Sequence, residues 1–486
     1  MYSRLSKKDW IFPAGALIVF FYFCYFLLPS LSSRFRNDDA YNIYYFWSRG
    51  TGALIKGLLL FFTTYYRPMG GVYFYSLYEI FGLNPLPYHI VIVLLLFINV
   101  VLVYRCAALI SGSKIIGGLC AVLMTYHARM AVLAYAPAFV FDVLCFTFYF
   151  AALFYYLRIR SGGRRLKARQ ISIFLLLYIA ALESKEMAVS LPIMIMAYEI
   201  LWHAPDRSVK SVLNWLRTNA FPGLISGFVT ACFIIGKSIG PEALSINPAY
   251  QVTITFKRFL DSNVRYMKDL FYLNPDHWFN AIWLILLWAI LTYAAFSRHS
   301  KPLAFSTIMT VTAVLPIAFI PDRGGAMLYI PSFGWALLLA VFIKSICGLL
   351  SRIMSFRNFN TNLVKALPLL FAVFFIWHIT DFQNKKEAYG LSLLGREFWM
   401  VKEQLETLLP NVKPGTQIAF YNNIFRGWDA KFIAELLYKD RTVTARLNDK
   451  APLSPSEFNK MDYVLAFEQE KLVILKRPGE AFKPPQ

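Results

Sequence analysis

"PMGGVYFYSLYEIFG", residues 68–82, decides how this chain is threaded. The run is apolar, but about 15 residues make a helix shorter than the ~20-residue span of a hydrocarbon core, and Pro68 belongs at a helix start. Counted as a span, it would invert every loop that follows. Read as an interfacial helix, it leaves eleven other apolar runs: 10–31, 87–110, 115–134, 138–157, 170–183, 187–203, 219–239, 279–297, 302–320, 327–347 and 364–380.

The distribution of Lys and Arg tests this choice, because cytoplasmic loops carry an excess of both. With eleven spans and a cytoplasmic N-terminus, one side receives Arg105 and Lys114, then Arg158, Arg160, Arg164, Arg165, Lys167 and Arg169. Arg207, Lys210, Arg217, Arg298, Lys301, Lys344, Arg352, Arg357 and Lys365 join them. A twelfth span would expel the most basic loop to the exterior. The first run follows Arg4, Lys7 and Lys8 and has no small-residue cleavage site, so it reads as a retained anchor.

Composition agrees with many spans. Of 486 residues, 58% are hydrophobic and only 16% charged, too apolar for a soluble chain. The expected fold is mainly α, a polytopic membrane protein of about 11 transmembrane helices. The formal charge of +21 lies largely in loops facing anionic headgroups. That excess points to the lipid bilayer and not to nucleic acid. All six cysteines fall within or at the ends of the apolar runs, with no CxxC pair, which argues against a disulfide framework or a thiolate metal site.

The exterior then receives residues 32–86, about 128–137, the turn 183–187, residues 240–278, the turn 321–326, and a tail. In the loop 32–86, Asn37 can cap a helix whose first turn carries Asp38 and Asp39, with Ile43, Tyr44, Phe46 and Trp47 as its apolar side. Such a helix would lie along the membrane surface with its aromatics in the headgroups. Arg67, beside Tyr65 and Tyr66, stands at the entry to the second interfacial helix. His127 and Arg129 fall at the outer boundary, and Asp142 lies a turn inside the following span, where an acid is costly unless paired or facing a polar cavity. The turn 183–187 adds Glu183, Lys185 and Glu186; the turn 321–326 adds Asp322 and Arg323, with Tyr329 one turn deeper. From about residue 382 the chain becomes more charged. Strands at "TQIAFYN" and "TVTARL", a helix at "DAKFIAELLYK" and a hairpin at "YVLAFEQEKLVILKR" describe a small α/β domain, so we divide the chain into a membrane domain, 1–381, and an extracytoplasmic domain, 382–486.

An acidic pair in a long first exterior loop, an "RP" interfacial helix, an acid opening the fourth span, and the segments "ESKE…LP" and "LYIPSFG" resemble, in that order, the GT-C superfamily of membrane glycosyltransferases over residues 10–350. The chain is similar to bacterial protein O-mannosyltransferase-like and aminoarabinose transferase-like enzymes. The resemblance implies a hexosyl- or pentosyltransferase of the bacterial inner membrane with a periplasmic C-terminal domain. It would move a sugar, with inversion, from a polyprenyl-phosphate donor such as an undecaprenyl-phosphate sugar to a hydroxyl of a glycolipid, polysaccharide or protein. By position, Asp38 matches the first acid of the family pair, implying the catalytic base, and Asp39 the second.

The chemistry fits these residue types. An attacking hydroxyl needs a carboxylate to accept its proton, while an anionic phosphate leaving group needs cations and no general acid. Arg67, Lys185 and Arg323 are the phosphate-binding candidates, with Tyr66, His127, Arg129, Asp142, Glu183, Glu186 and Tyr329 as further cavity residues. Relatives often carry an arginine directly before "LYIPS", where this chain has Ala326 and Met327. No cofactor is required; Asp39, Asp142 and Glu186 could offer oxygen ligands to a divalent metal, without a spacing motif to support it. The competing readings are structural. Asp38 and Asp39 could serve only a helix N-terminus, Glu183, Lys185 and Glu186 could pair in a solvated turn, and Arg67 could be an interfacial anchor. At the level of function the rivals are a secondary transporter, which would hold its acids nearer the midplane, and a non-catalytic assembly or flippase factor.

Overall fold

The computed structural model describes residues 11–239, 251–274, 276–321, 323–355, 361–393, 395–423 and 429–483. Each of the eleven apolar runs is helical. The first is α1 (Ile11–Leu27), followed by the loop helices α2 (Asn37–Leu59) and α3 (Pro68–Phe81). The bundle continues with α4 (Pro85–Ser111), α5 (Lys114–Thr125), the short α6 (Val132–Tyr135), α7 (Val140–Arg160), α8 (Ala168–Ser184) and α9 (Leu191–His203). An amphipathic α10 (Val209–Thr218) leads to α11 (Phe221–Ser238), and α12 (Phe256–Leu270) to α13 (Ala281–Ser297). Then come α14 (Lys301–Thr312), α15 (Leu315–Ala318), α16 (Tyr329–Ser355) and α17 (Thr361–Leu393).

Among the described residues, seven helical stretches are long and apolar enough to cross a membrane. An eighth is formed if α5 and the segment Ala128–Tyr135, bent by 58°, count as one. The other expected spans, α8, α9 and α13, have 17, 13 and 17 residues and are short for a bilayer on their own. The bend after α5 breaks the helical ladder and leaves backbone groups to be satisfied by other partners. The Tyr272 hydroxyl accepts from the Ala128 N–H at 3.0 Å, and its ring stacks on His127 with centroids 4.4 Å apart.

A short 3₁₀ turn and four non-helical residues join α1 to α2, and residues 60–67 lead on to α3, which Pro68 begins as its first-turn proline. The loop helix α2 is broken at Gly50, whose φ of 76° is open to glycine at little cost. Much of its apolar side is covered by protein, where the sequence reading placed it in the headgroups. Ile43 and Phe46 are fully buried and Trp47 nearly so, because α2 lies between α3 and the C-terminal domain. Phe46 stacks on Phe74, and Trp47 meets Tyr78 edge-on at 5.3 Å. With a second protein layer available, burial against side chains replaces burial in lipid.

The C-terminal domain contains α18 (Arg396–Leu408), β1 (Gln417–Phe420), α19 (Asp429–Leu437), β2 (Thr444–Leu447), α20 (Pro455–Lys460), β3 (Tyr463–Glu468) and β4 (Lys471–Lys476). Its sheet has the order β2-β1-β3-β4, with β1 parallel to both neighbours and β4 antiparallel to β3. The strands and helix read from sequence are all present. Helix α20, whose Ser454 caps Glu457 N–H at 3.3 Å, adds a packed layer under Phe458. Helix α19 docks on α2: Phe432 sits 5.5 Å from Tyr41 and 5.2 Å from Tyr44, Arg441 covers Trp47 at 5.2 Å, and the Tyr78 hydroxyl donates to the Leu436 carbonyl.

At the other end of the bundle, Arg160 and Glu199 form a buried bidentate pair at 2.7 and 2.8 Å, which Tyr156 joins at 2.7 Å. It ties α7 to α9. The docking of α19 generates a prediction. Phe432→Ala should lower unfolding stability in detergent by about 3 kcal/mol, the usual cost of truncating a buried phenylalanine, and should speed amide exchange along α2.

Candidate active site

The first turn of α2 is built by Asp39. Its carboxylate accepts the Arg36 N–H at 2.7 Å, closing a box at the helix start, while the Arg36 carbonyl accepts the Asp39 N–H at 2.9 Å. The capping expected of Asn37 is thus performed by Asp39, and Asn37 is the first helical residue. The second Asp39 oxygen accepts the Ala138 N–H at 2.5 Å, on the turn that begins α7. Asp39 is fully buried and its two oxygens are committed to backbone donors, which leaves it poorly suited to take a proton from substrate. Asp38, one residue earlier, is exposed.

Arg67 takes a left-handed conformation, φ 41°, ψ 62°, uncommon without glycine. The proline that follows bars it from the right-handed helical region, and its carbonyl accepts the Gly70 and Gly71 N–H groups. From this posture the guanidinium reaches Glu186 with two bonds, Nε at 3.3 Å and Nη2 at 2.8 Å, and donates to the Tyr66 hydroxyl at 2.7 Å. It also lies over the rings of Tyr66 and Phe141, at 4.7 and 5.4 Å. Burial alone would raise the Glu186 carboxyl; the Arg67 guanidinium outweighs that and holds it below the usual range.

Next to Glu186 in sequence, Lys185 places its Nζ 2.6 Å from both oxygens of Asp142, and both side chains are buried. The costly acid inside the fourth span is therefore paired. Glu183 is 2% exposed, and among the described residues no group donates to either of its oxygens. Lys237, at the end of α11, donates to the Tyr65 carbonyl at 2.6 Å. It lies within electrostatic reach of Glu183, Glu186 and Arg67. The sequence reading overlooked Lys237. The signal was present, a lone lysine ending an apolar run on the face that gathers the other ions.

The remaining candidates fall elsewhere. Arg129 contacts Asp269 at 3.7 Å and Glu387 at 3.4 Å, joining the loop helix α12 to α17. His127 lies stacked on Tyr272, with Nε2 3.0 Å from the Leu270 carbonyl, a packing role. Arg323 stands on a turn held by α12, where Arg265 Nη2 donates to its carbonyl at 3.0 Å; Asp322 lies outside the described residues. Tyr329 is buried against Phe146 at 4.0 Å and borders an apolar cavity of about 100 Å³ near Met124 and Trp335. Asp39, Asp142 and Glu186 are each engaged separately, and among the described residues no three metal-type ligands converge.

The site thus sets Arg67, Lys185 and Lys237 among Asp142, Glu183 and Glu186, with Asp38 exposed at the start of a helix fixed by Asp39. No family model and no curated protein matches the sequence. The crystal structure of ArnT from Cupriavidus metallidurans bound to undecaprenyl phosphate does match, with a TM-score of 0.55 over 99% of this chain and 100% of that one. The chain has a GT-C fold. At 12% identity the likeness is one of architecture. It bears out the mainly α, polytopic fold and the small C-terminal sheet read from the sequence.

Asp39→Ala should cost about 1 kcal/mol for the helix start and about 1–3 kcal/mol more for the orphaned Ala138 N–H, read by denaturation in detergent. Burial pushes the Asp39 carboxyl up to about 7, against the pull of the two backbone donors. The folded state therefore keeps a proton that the unfolded chain, near 3.8, has released. This contribution to stability is complete below the unfolded value and is lost as pH rises through about 7. Asp39→Asn should remove that slope from unfolding midpoints measured between pH 4 and 8.

Proposed function

We propose that this chain is a membrane glycosyltransferase that moves a sugar from a polyprenyl-phosphate carrier to an acceptor hydroxyl on the extracytoplasmic face. The reading is carried by one observation. Three cations, Arg67, Lys185 and Lys237, are gathered beside three carboxylates at one end of a bundle whose fold is shared with a protein bound to undecaprenyl phosphate. The charges balance as they stand, so an arriving phosphate competes with Glu186 for the Arg67 guanidinium, a planar fork suited to phosphate oxygens.

The acceptor hydroxyl gives its proton to Asp38 as its oxygen attacks the anomeric carbon. The bond from that carbon to the phosphate oxygen breaks on the opposite face, which inverts the configuration. The carrier leaves as a phosphate monoester with more negative charge than the donor diester. Arg67 and Lys185 answer that growing charge, and a desolvated site makes each contact stronger than it would be in water. Asp39 holds the turn that carries Asp38 and so serves as a positioning residue. The sugar transferred is a hexose or pentose, and the acceptor a glycolipid, polysaccharide or protein.

Transfer from a radiolabelled polyprenyl-phosphate sugar to membrane acceptors by purified protein tests the reading. Asp38→Asn should lower kcat by about 10²–10⁴-fold with folding intact, the usual reach of a general base. Arg67→Ala and Lys185→Ala should raise the donor KM and, because both contacts strengthen as the phosphate departs, lower kcat as well. Full turnover in Asp38→Asn would remove that residue from the chemistry.

A further inference from the structure

Residues 60–67 form an irregular link between α2 and α3 and end on Arg67, a residue in a conformation that costs about 1–3 kcal/mol unless its surroundings impose it. Two neighbours on α11 supply that constraint. A Cβ at Gly236 would overlap the backbone of Phe62, so the link approaches α11 at a distance only glycine permits. The next residue, Lys237, donates to the Tyr65 carbonyl at 2.6 Å, two residues before Arg67. Its charge also acts on Glu183, which lies buried without a donor at either oxygen among the described residues. The two contacts hold the link at two points, Phe62 by shape and Tyr65 by a charge-assisted hydrogen bond.

We infer that Gly236 and Lys237 form a latch that seats the 60–67 link on α11 and so aims Arg67 at the donor phosphate. Lys237 is thereby a positioning residue of the transfer reaction, and this role rests on the donor-site reading above. The latch itself is independent of that reading, because it consists of contacts within the chain.

The full-length protein in detergent tests both parts. Amide exchange over residues 60–71 reads the latch, and binding of undecaprenyl phosphate, with donor KM and kcat, reads its consequence. Lys237→Met and Gly236→Val should each speed exchange in that segment. Each should raise the donor KM about tenfold, the worth of one hydrogen bond, and lower kcat by less than Arg67→Ala does. Lys237→Gln, which can still donate to the Tyr65 carbonyl, should restore most of the loss. Unchanged exchange in both Lys237→Met and Gly236→Val would overturn the latch. Equal loss in Lys237→Gln and Lys237→Met would overturn it too, by showing that only the charge counts. Arg67→Ala separates the two levels. If it leaves undecaprenyl phosphate binding intact while Lys237→Met still speeds exchange, the donor site fails and the latch stands.

Discussion

A charge withdrawn from water at the edge of an apolar bundle is tolerable only beside an opposite charge or a strong hydrogen-bond partner. Arg67 and Glu186, Lys185 and Asp142 meet that condition with short contacts between helices distant in sequence. Each pair fixes two helix ends, so the same contacts that make the charges bearable bring α3, α7 and the α8–α9 turn to one place. The bundle end is thus shaped by electrostatics as much as by packing. Its opposite end repeats the device with Arg160 and Glu199, where both side chains are fully engaged with each other and with Tyr156.

The two adjacent aspartates show how neighbours in sequence acquire different roles. Consecutive residues on a helix point about 100° apart. One carboxylate therefore turns inward, to the backbone N–H groups of Arg36 and Ala138, while the other faces out. The inward acid locks the beginning of α2 to the beginning of α7. That rigidity gives the outward acid a defined position, which general-base chemistry requires more than it requires a particular residue type.

The C-terminal domain completes this arrangement from above. By covering α2 with Phe432 and Arg441, it buries the Trp47 side of a helix that would otherwise lie exposed. An amphipathic helix needs only an apolar surface to rest on, and sequence periodicity does not distinguish lipid from protein. This is why Ile43, Phe46 and Trp47, which read as part of a membrane seat, are found in the protein core.

The apolar helices, the shortness of 68–82, the strands and helix of the tail and part of the ion cluster, Arg67, Asp142, Lys185 and Glu186, were legible in the sequence. Each is written in local signals: hydropathy over one segment, the count of Lys and Arg in one loop, a proline at one helix start. The order of motifs was enough to indicate the GT-C fold. What the sequence could not contain was partnership. Arg67 meets Glu186 across 119 positions, Asp39 reaches Ala138 across 99, and Lys237 reaches Tyr65 across 172. Such contacts depend on which helix ends the bundle packs together, and no periodicity within either segment encodes that choice. The tertiary structure alone separated Asp39 from Asp38, moved His127 and Tyr329 into packing roles, and brought Lys237 into the site.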